Sequence, residues 1–272
     1  AQHHNGLGVP VAMEMLGEVD RRLEALVAHL EGEYPGALDC VVTSDHGFSS
    51  ITNHVSLSAE VEALAAAVPA PLAPGDMVFA GSGLYLHGAA EEHLPRILEA
   101  FGERPWVGGL FVRDDLISLC PRALPQSAVG GGAHRRSPHI LYTGSWSAEV
   151  NADGVAGFTE NPSRLIASHG MASPFDVNNI LVAWGPSFKE GLVSPIACGI
   201  VDLAPTVLHL LEVPAEGLDG RVLWELLRGG PDLAAMEMRH AALSGPLGTR
   251  RAQVVELSEV RGHEYLDSVS VV

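Results

Sequence analysis

The sequence predicts an α/β fold organised on a mostly parallel sheet, with a cap-like insertion. Three observations carry the prediction. An amphipathic helix near the N-terminus feeds directly into a short apolar strand. The same rhythm returns after Leu165, as strand, loop, strand, turn and helix. Between them, residues 52–160 have a different texture, richer in proline and short apolar runs. A chain of 272 residues with 47% hydrophobic content buries a substantial core. We read 1–272 as a single domain containing 52–160 as its insertion.

The elements follow in order. Pro10 suits a first helical turn, and Val11, Met15, Val19, Leu23, Leu26, Val27 and Leu30 recur at helical spacing. Gly32, Pro35 and Gly36 end that helix, and Leu38 to Thr43 reads as a buried strand. A short helix is expected over 59–68. The runs 77–80 and 84–86 flank a Gly-Ser-Gly turn and predict a hairpin. A helix over 91–101, a strand over 107–112 and a loop at Gly130-Gly131-Gly132 complete the insertion. Strands are expected from Leu165 and over 180–184, then a helix over 201–211. The alternating tail from Gln253 predicts one or two closing strands.

Composition removes several function classes. The net charge of −17, from 33 acidic against 16 basic residues, argues against a nucleic-acid polymer or an anionic membrane as the partner. It leaves room for a small anionic substrate, because bound cations reverse the local field. Three widely spaced cysteines make neither a disulfide framework nor a zinc finger. Thirteen histidines mildly favour metal chemistry. No apolar run reaches the roughly 20 residues that span a bilayer. The opening Ala-Gln-His-His-Asn has neither a signal-peptide pattern nor an initiator methionine, so the expectation is a chain lacking upstream residues.

The most informative motif is Thr43-Ser44-Asp45-His46-Gly47. Asp45 and His46 are both good ligands for a zinc-like cation. Adjacent strand residues point to opposite faces, so the two converge only where the strand ends and turns. Gly47 is expected to supply the freedom for that turn. A second pair, His169-Gly170, precedes the apolar run Asn179 to Trp184. Together they suggest a metal site along one sheet edge, where open α/β folds place their chemistry. The plain alternative is a turn with a capping Asp. His134 and His139 either line a substrate entrance or lie on solvated surface, and the reading favours surface. Phe48 and Phe175 suit stacking on a leaving group, or ordinary packing. Asp202 and Asp219 read as a helix cap and a turn residue. His87, His93, His209, His240 and His263 have no partner pattern. No Gly-x-Ser-x-Gly elbow occurs, so a Ser-His-Asp hydrolase is poorly supported.

Four motifs fall in one order: Ser44-Asp45-His46-Gly47, Ser168-His169-Gly170, Val182-Ala183-Trp184-Gly185-Pro186-Ser187-Phe188-Lys189, and Val201-Asp202-Leu203-Ala204-Pro205-Thr206-Val207-Leu208 with Leu218-Asp219-Gly220-Arg221 after it. That order resembles the C-terminal part of the alkaline phosphatase superfamily, in its type I phosphodiesterase/nucleotide pyrophosphatase branch. His3-His4-Asn5-Gly6 is similar to the second half of that branch's Asp-x-x-x-His-x-x-Gly motif. The resemblance implies a three-layer αβα sandwich with a mostly parallel central sheet and two zinc ions, or other divalent cations. It implies that Asp45 and His46 bind one ion and His3 and His169 the other. It also implies one further Asp for each ion, one of them at position −1, and a Ser or Thr nucleophile, all upstream of Ala1. No catalytic nucleophile is therefore assigned within the chain.

Such a site hydrolyses small phosphoric esters. Two cations hold a non-bridging oxygen, lower the nucleophile's pKa and stabilise the leaving oxygen. A covalent phospho-Ser/Thr intermediate divides the reaction into two easier steps. The alternatives are a phosphomonoesterase, sulfatase or phosphonate hydrolase of the same superfamily, or a non-catalytic remnant. The resemblance leans weakly towards a periplasmic or extracellular location.

Overall fold

The computed structural model describes residues 1–214 and 216–272. In chain order the elements are α1 (Gln2–Asn5), α2 (Pro10–Glu33), β1 (Cys40–Thr43), β2 (Ser49–His54), α3 (Leu57–Ala65), β3 (Met77–Ala80), β4 (Gly83–Leu86), α4 (Leu94–Gly102), β5 (Val107–Val112) and β6 (Leu124–Pro125). They continue as β7 (Ile140–Gly144), β8 (Trp146–Val150), β9 (Ala156–Asn161), β10 (Ala167–Ser168), α5 (Pro174–Val177), β11 (Leu181–Trp184), α6 (Leu203–Leu210), β12 (Met238–Leu247), β13 (Arg251–Val260) and β14 (His263–Val271). No helix among the described residues is long and apolar enough to cross a membrane.

The strands form four small sheets, in the orders β1-β11, β10-β2-β9-β8, β12-β13-β14 and β3-β4-β7-β5-β6. This overturns the expected three-layer αβα sandwich with a mostly parallel central sheet. Among the described residues only β2–β9 and β5–β6 are parallel pairs, and every other strand pairing is antiparallel. The expected parallel order rested on helix-then-strand rhythm, but rhythm does not choose partners. A parallel pair needs a crossover of a dozen or more residues, whereas hairpins close antiparallel pairs in two. Here β3–β4 and the closing strands are linked by tight turns. β1 takes β11 as an antiparallel partner, with Cys40 opposite Trp184 and Thr43 opposite Leu181.

Most of the core lies away from the motif-bearing segments. The central strand β5 is buried along its whole length, because both of its faces are covered. On one side Leu94, Ile97 and Phe101 project from a single stripe of α4. They pack with Leu64, Leu84, Leu86, Ile140 and Tyr142. Phe101, Trp106 and Tyr142 meet edge-on or tilted, with ring centroids 5.5–5.7 Å apart. On the other side Phe111 packs against Val255, Leu257 and Val269 of the closing sheet. The Gln253 side chain clasps Leu110 there, accepting its N–H at 2.7 Å and donating to its carbonyl at 2.9 Å. In contrast, α2 buries only Ala12 and leaves Met13, Leu16, Val19 and Leu26 exposed.

Candidate metal centre

Three chain segments build the site. β1 ends at Thr43, whose hydroxyl donates to the Ile180 carbonyl at 2.8 Å. The Asn179 amide donates to the Ser44 carbonyl. The chain then turns through Asp45-His46-Gly47 into β2, whose Ser49 and Ser50 pair with Ser168 and Ala167 of β10. That pairing carries His169 to the same end of the ladder. The N-terminal segment closes the third side: the His3 carbonyl accepts from Ile166 N–H at 3.0 Å, and Leu7 is buried. The Asn151 side chain also holds the Leu7 carbonyl at 3.0 Å.

The geometry brings His3, Asp45, His46 and His169 into one cluster. The His46 and His169 rings stack, with centroids 3.5 Å apart and planes 17° apart. The His3 and His169 centroids are 5.5 Å apart. Asp45 Oδ2 lies 3.4 Å from His46 Nε2, with the Asp45 side chain 85% exposed and that of His46 29% exposed. Phe48 lies among the three imidazoles, 4.7 Å from His3, 5.6 Å from His169 and 6.0 Å from His46, centroid to centroid. It therefore packs as a wall of the cluster. Phe175 packs edge-on against Trp146 instead.

Hydrogen bonds select the ring tautomers. A carbonyl oxygen only accepts, so His3 Nδ1–H donates to Ala167 O at 3.0 Å and His46 Nδ1–H to Gly47 O at 2.7 Å. Each ring thus keeps its Nε2 lone pair for a ligand, the second-ring-nitrogen arrangement usual for metal-bound histidine. Burial, then the neighbouring His46 and His3, hold the His169 pKa below the ordinary histidine value. That direction favours the neutral ring, the form a metal ligand needs.

Donor type and tautomer fit a zinc-like cation. Donor number completes neither coordination shell: among the described residues, no three His, Cys, Asp or Glu side chains converge as a metal-holding group. The closest approaches are Asp45 to His46 at 3.4 Å and the stacked His46–His169 rings at 3.5 Å, with His3 standing 5.5 Å from His169, so the contacts do not divide into the two ligand pairs the resemblance implies.

Gly47 corrects the sequence reading in its physical reason. It has no positive φ. Instead, a Cβ there would lie 2.0 Å from the Phe175 carbonyl oxygen and 2.2 Å from that of Asn178. Glycine is required by close backbone approach. Gly170 is the opposite case, with φ +92° and open space around it.

The other candidates take structural places. His134 is exposed in a loop, as expected for surface. His139 is not solvated surface: it is half-buried, its Nδ1 accepts from Leu86 N–H at 3.1 Å, and burial lowers its pKa. Asp202 is fully buried and does more than cap a helix. Its carboxylate accepts from Gly199 N–H, Arg221 N–H and the Tyr265 hydroxyl at 2.8–2.9 Å. Asp219 is exposed.

Sequence reasoning missed Asp176. This residue of α5 is 3% exposed and contacts both histidine-bearing turns through hydrogen bonds. Its signal was present in Ser173-Pro174-Phe175-Asp176, a Ser-x-x-Asp helix start. Ser173 Oγ indeed accepts from Asp176 N–H at 3.1 Å. No protein-family model matches the chain. No curated protein sequence matches it either.

Proposed function

We propose that the chain carries the metal-binding part of a metal-dependent phosphoric-ester hydrolase, of the phosphodiesterase/nucleotide pyrophosphatase type in the alkaline phosphatase superfamily. One observation carries the reading: His3, Asp45, His46 and His169, drawn from three distant segments, stand together, with the Nε2 lone pairs of His3 and His46 left for a ligand. In this reading Asp45 and His46 hold one zinc, and His3 and His169 the other. Bound zinc would supply Lewis-acid polarisation of a phosphoryl oxygen and an activated oxygen nucleophile.

The chain's own residues do the rest. The Ala167 and Gly47 carbonyls fix the rotation of the His3 and His46 rings, so a cation meets oriented lone pairs. A carboxylate oxygen and an imidazole lone pair 3.4 Å apart repel unless a proton or a metal cation lies between them. That juxtaposition leaves the two donors close enough to share one cation. Phe48 keeps water from one side of the imidazoles, which strengthens electrostatic interactions there. The net charge of −17 leaves cations as the means of attracting a small phosphate-ester substrate.

The reading assigns the nucleophilic Ser or Thr, and one Asp per ion, to sequence preceding Ala1. The test uses protein expressed from the full reading frame, assayed on a nitrophenyl phosphodiester and the matching monoester. Zinc-dependent release from the diester, lost on chelation and in His169→Ala, is expected. Metal-independent rates, or a preference for the monoester, would sink the phosphodiesterase assignment. A second reading, a non-catalytic domain, is favoured by the lack of any three converged donors among the described residues. It predicts zinc binding with no turnover of either ester.

A further inference from the structure

Two turns separated by more than a hundred residues must keep a fixed spacing if His46 and His169 are to act together. β2–β10 pairing brings their strands alongside, with Ser49 opposite Ser168. It does not fix the turns beyond the strand ends. A single carboxylate spans that gap. Asp176 Oδ1 accepts from Ser49 Oγ, three residues after His46. Asp176 Oδ2 accepts from Met171 N–H at 3.0 Å, two residues after His169.

The main chain around it adds to the brace. The Asp176 carbonyl accepts from Gly47 N–H at 2.8 Å, and the Phe175 carbonyl accepts from Phe48 N–H at 2.8 Å. Ser49 and Ser173, whose hydroxyls lie 3.2 Å apart, are both fully buried. Every polar atom in this knot has a partner, so it has one low-energy arrangement.

We propose that Asp176 is the positioning residue of the histidine cluster: by holding Ser49 and Met171 at once, it sets the spacing of the turns that carry His46 and His169. Its consequence for metal capture rests on the two-metal reading above. Asp176 touches neither ring and is not a ligand; it acts through the turns. A carboxylate is suited because both oxygens accept. Asparagine retains both links, its carbonyl accepting from Met171 and its amide donating to Ser49 Oγ. Alanine keeps neither.

The test compares wild type, Asp176→Ala, Asp176→Asn and Ser49→Ala. The first readout is the set of histidine ring proton resonances in metal-free protein, assigned with single His→Gln variants. The stacked rings give His46 and His169 shielded lines. In Asp176→Ala both lines lose that shielding, and in Asp176→Asn they keep it. In Ser49→Ala both lines lose part of that shielding, because the rings shield each other, and the loss is smaller than in Asp176→Ala because the Met171 link survives. This variant decides the matter if Asp176→Ala does not fold.

The second readout is zinc affinity by competition with a chromogenic chelator. It falls about 10–100-fold in Asp176→Ala, the range for outer partners of metal ligands. Asp176→Asn recovers most of it. Gln253→Ala, which breaks a buried clasp between β13 and β5, serves as the control for a merely structural loss. It lowers thermal stability and leaves the His46 and His169 lines in place. Unmoved lines in folded Asp176→Ala, or equal movement in Gln253→Ala, would overturn the proposal. Absence of zinc binding by wild type would remove the metal reading alone, and the resonance shifts would still decide the brace.

Discussion

Gly47→Ala is the sharpest perturbation of the turn that carries Asp45 and His46. The added methyl would stand 2.0 Å from the Phe175 carbonyl oxygen and 2.2 Å from that of Asn178. Both obstacles are backbone, so no side chain can swing aside; one strand of chain must retreat by about 1 Å to reach even a tight contact. Overpacking of this kind costs about 3 kcal/mol. Reduced freedom of the unfolded chain returns about 0.4–1 kcal/mol. The net loss is about 2–3 kcal/mol, read as a lower urea midpoint with an unchanged slope. The retreat also strains the Gly47 N–H and Phe48 N–H bonds to α5, so zinc affinity falls together with stability. Gly170→Ala is the internal comparison: its φ of +92° costs about 1–2 kcal/mol, and no atom lies in the way. A Gly47→Ala protein within about 0.5 kcal/mol of wild type, with unaltered zinc affinity, would refute the packing argument.

Three further outcomes are expected. His169→Ala lowers zinc binding, read by calorimetric titration, and also lowers the urea midpoint, because the half-buried ring stacks on His46. Glu225→Ala removes the bidentate partner of Arg221, whose side chain is only 5% exposed, and leaves a buried guanidinium uncompensated. The cost is about 3–5 kcal/mol by urea denaturation. Burial pushes the Tyr142 hydroxyl up from 10 to about 12. The folded state therefore holds a proton that the unfolded chain releases, and stability present below pH 10 is lost as pH rises towards 12. The loss is about 2–3 kcal/mol, and Tyr142→Phe flattens it.

Local order was legible in the sequence where a pattern is self-contained. The run from Pro10, closed by Gly32 and Pro35, gave α2 within a residue or two of its observed end at Glu33. The hairpin 77–86 and the strand Val107–Val112 followed from apolar runs bounded by turn residues. Six strands escaped, β2, β6, β7, β8, β9 and β12, and two of them show why. β2 is Ser-Ser-Ile-Thr-Asn-His, too polar to signal burial, although its first two residues are buried. β12 is exposed along most of its length and contains Gly245-Pro246, which reads as a turn. Pairing was the part that periodicity cannot encode. Leu38 to Thr43 reads as apolar whether its partner is parallel or antiparallel, and β11 turned out to lie antiparallel to it.

The same division holds at the site. Asp45-His46-Gly47 and His169-Gly170 stand out as residue types at strand ends. Asp176 looked like an ordinary helix-start acid, because its partners Ser49 and Met171 are set by tertiary contact. Phe48 gave no sign that three imidazoles would gather around it.

The most direct measurement is anomalous diffraction at the zinc absorption edge from crystals grown with zinc. Peaks bounded by His3, Asp45, His46 and His169, and absent below the edge, are the predicted result. Zinc peaks only elsewhere, at saturating zinc and with the four side chains ordered, would contradict the metal centre.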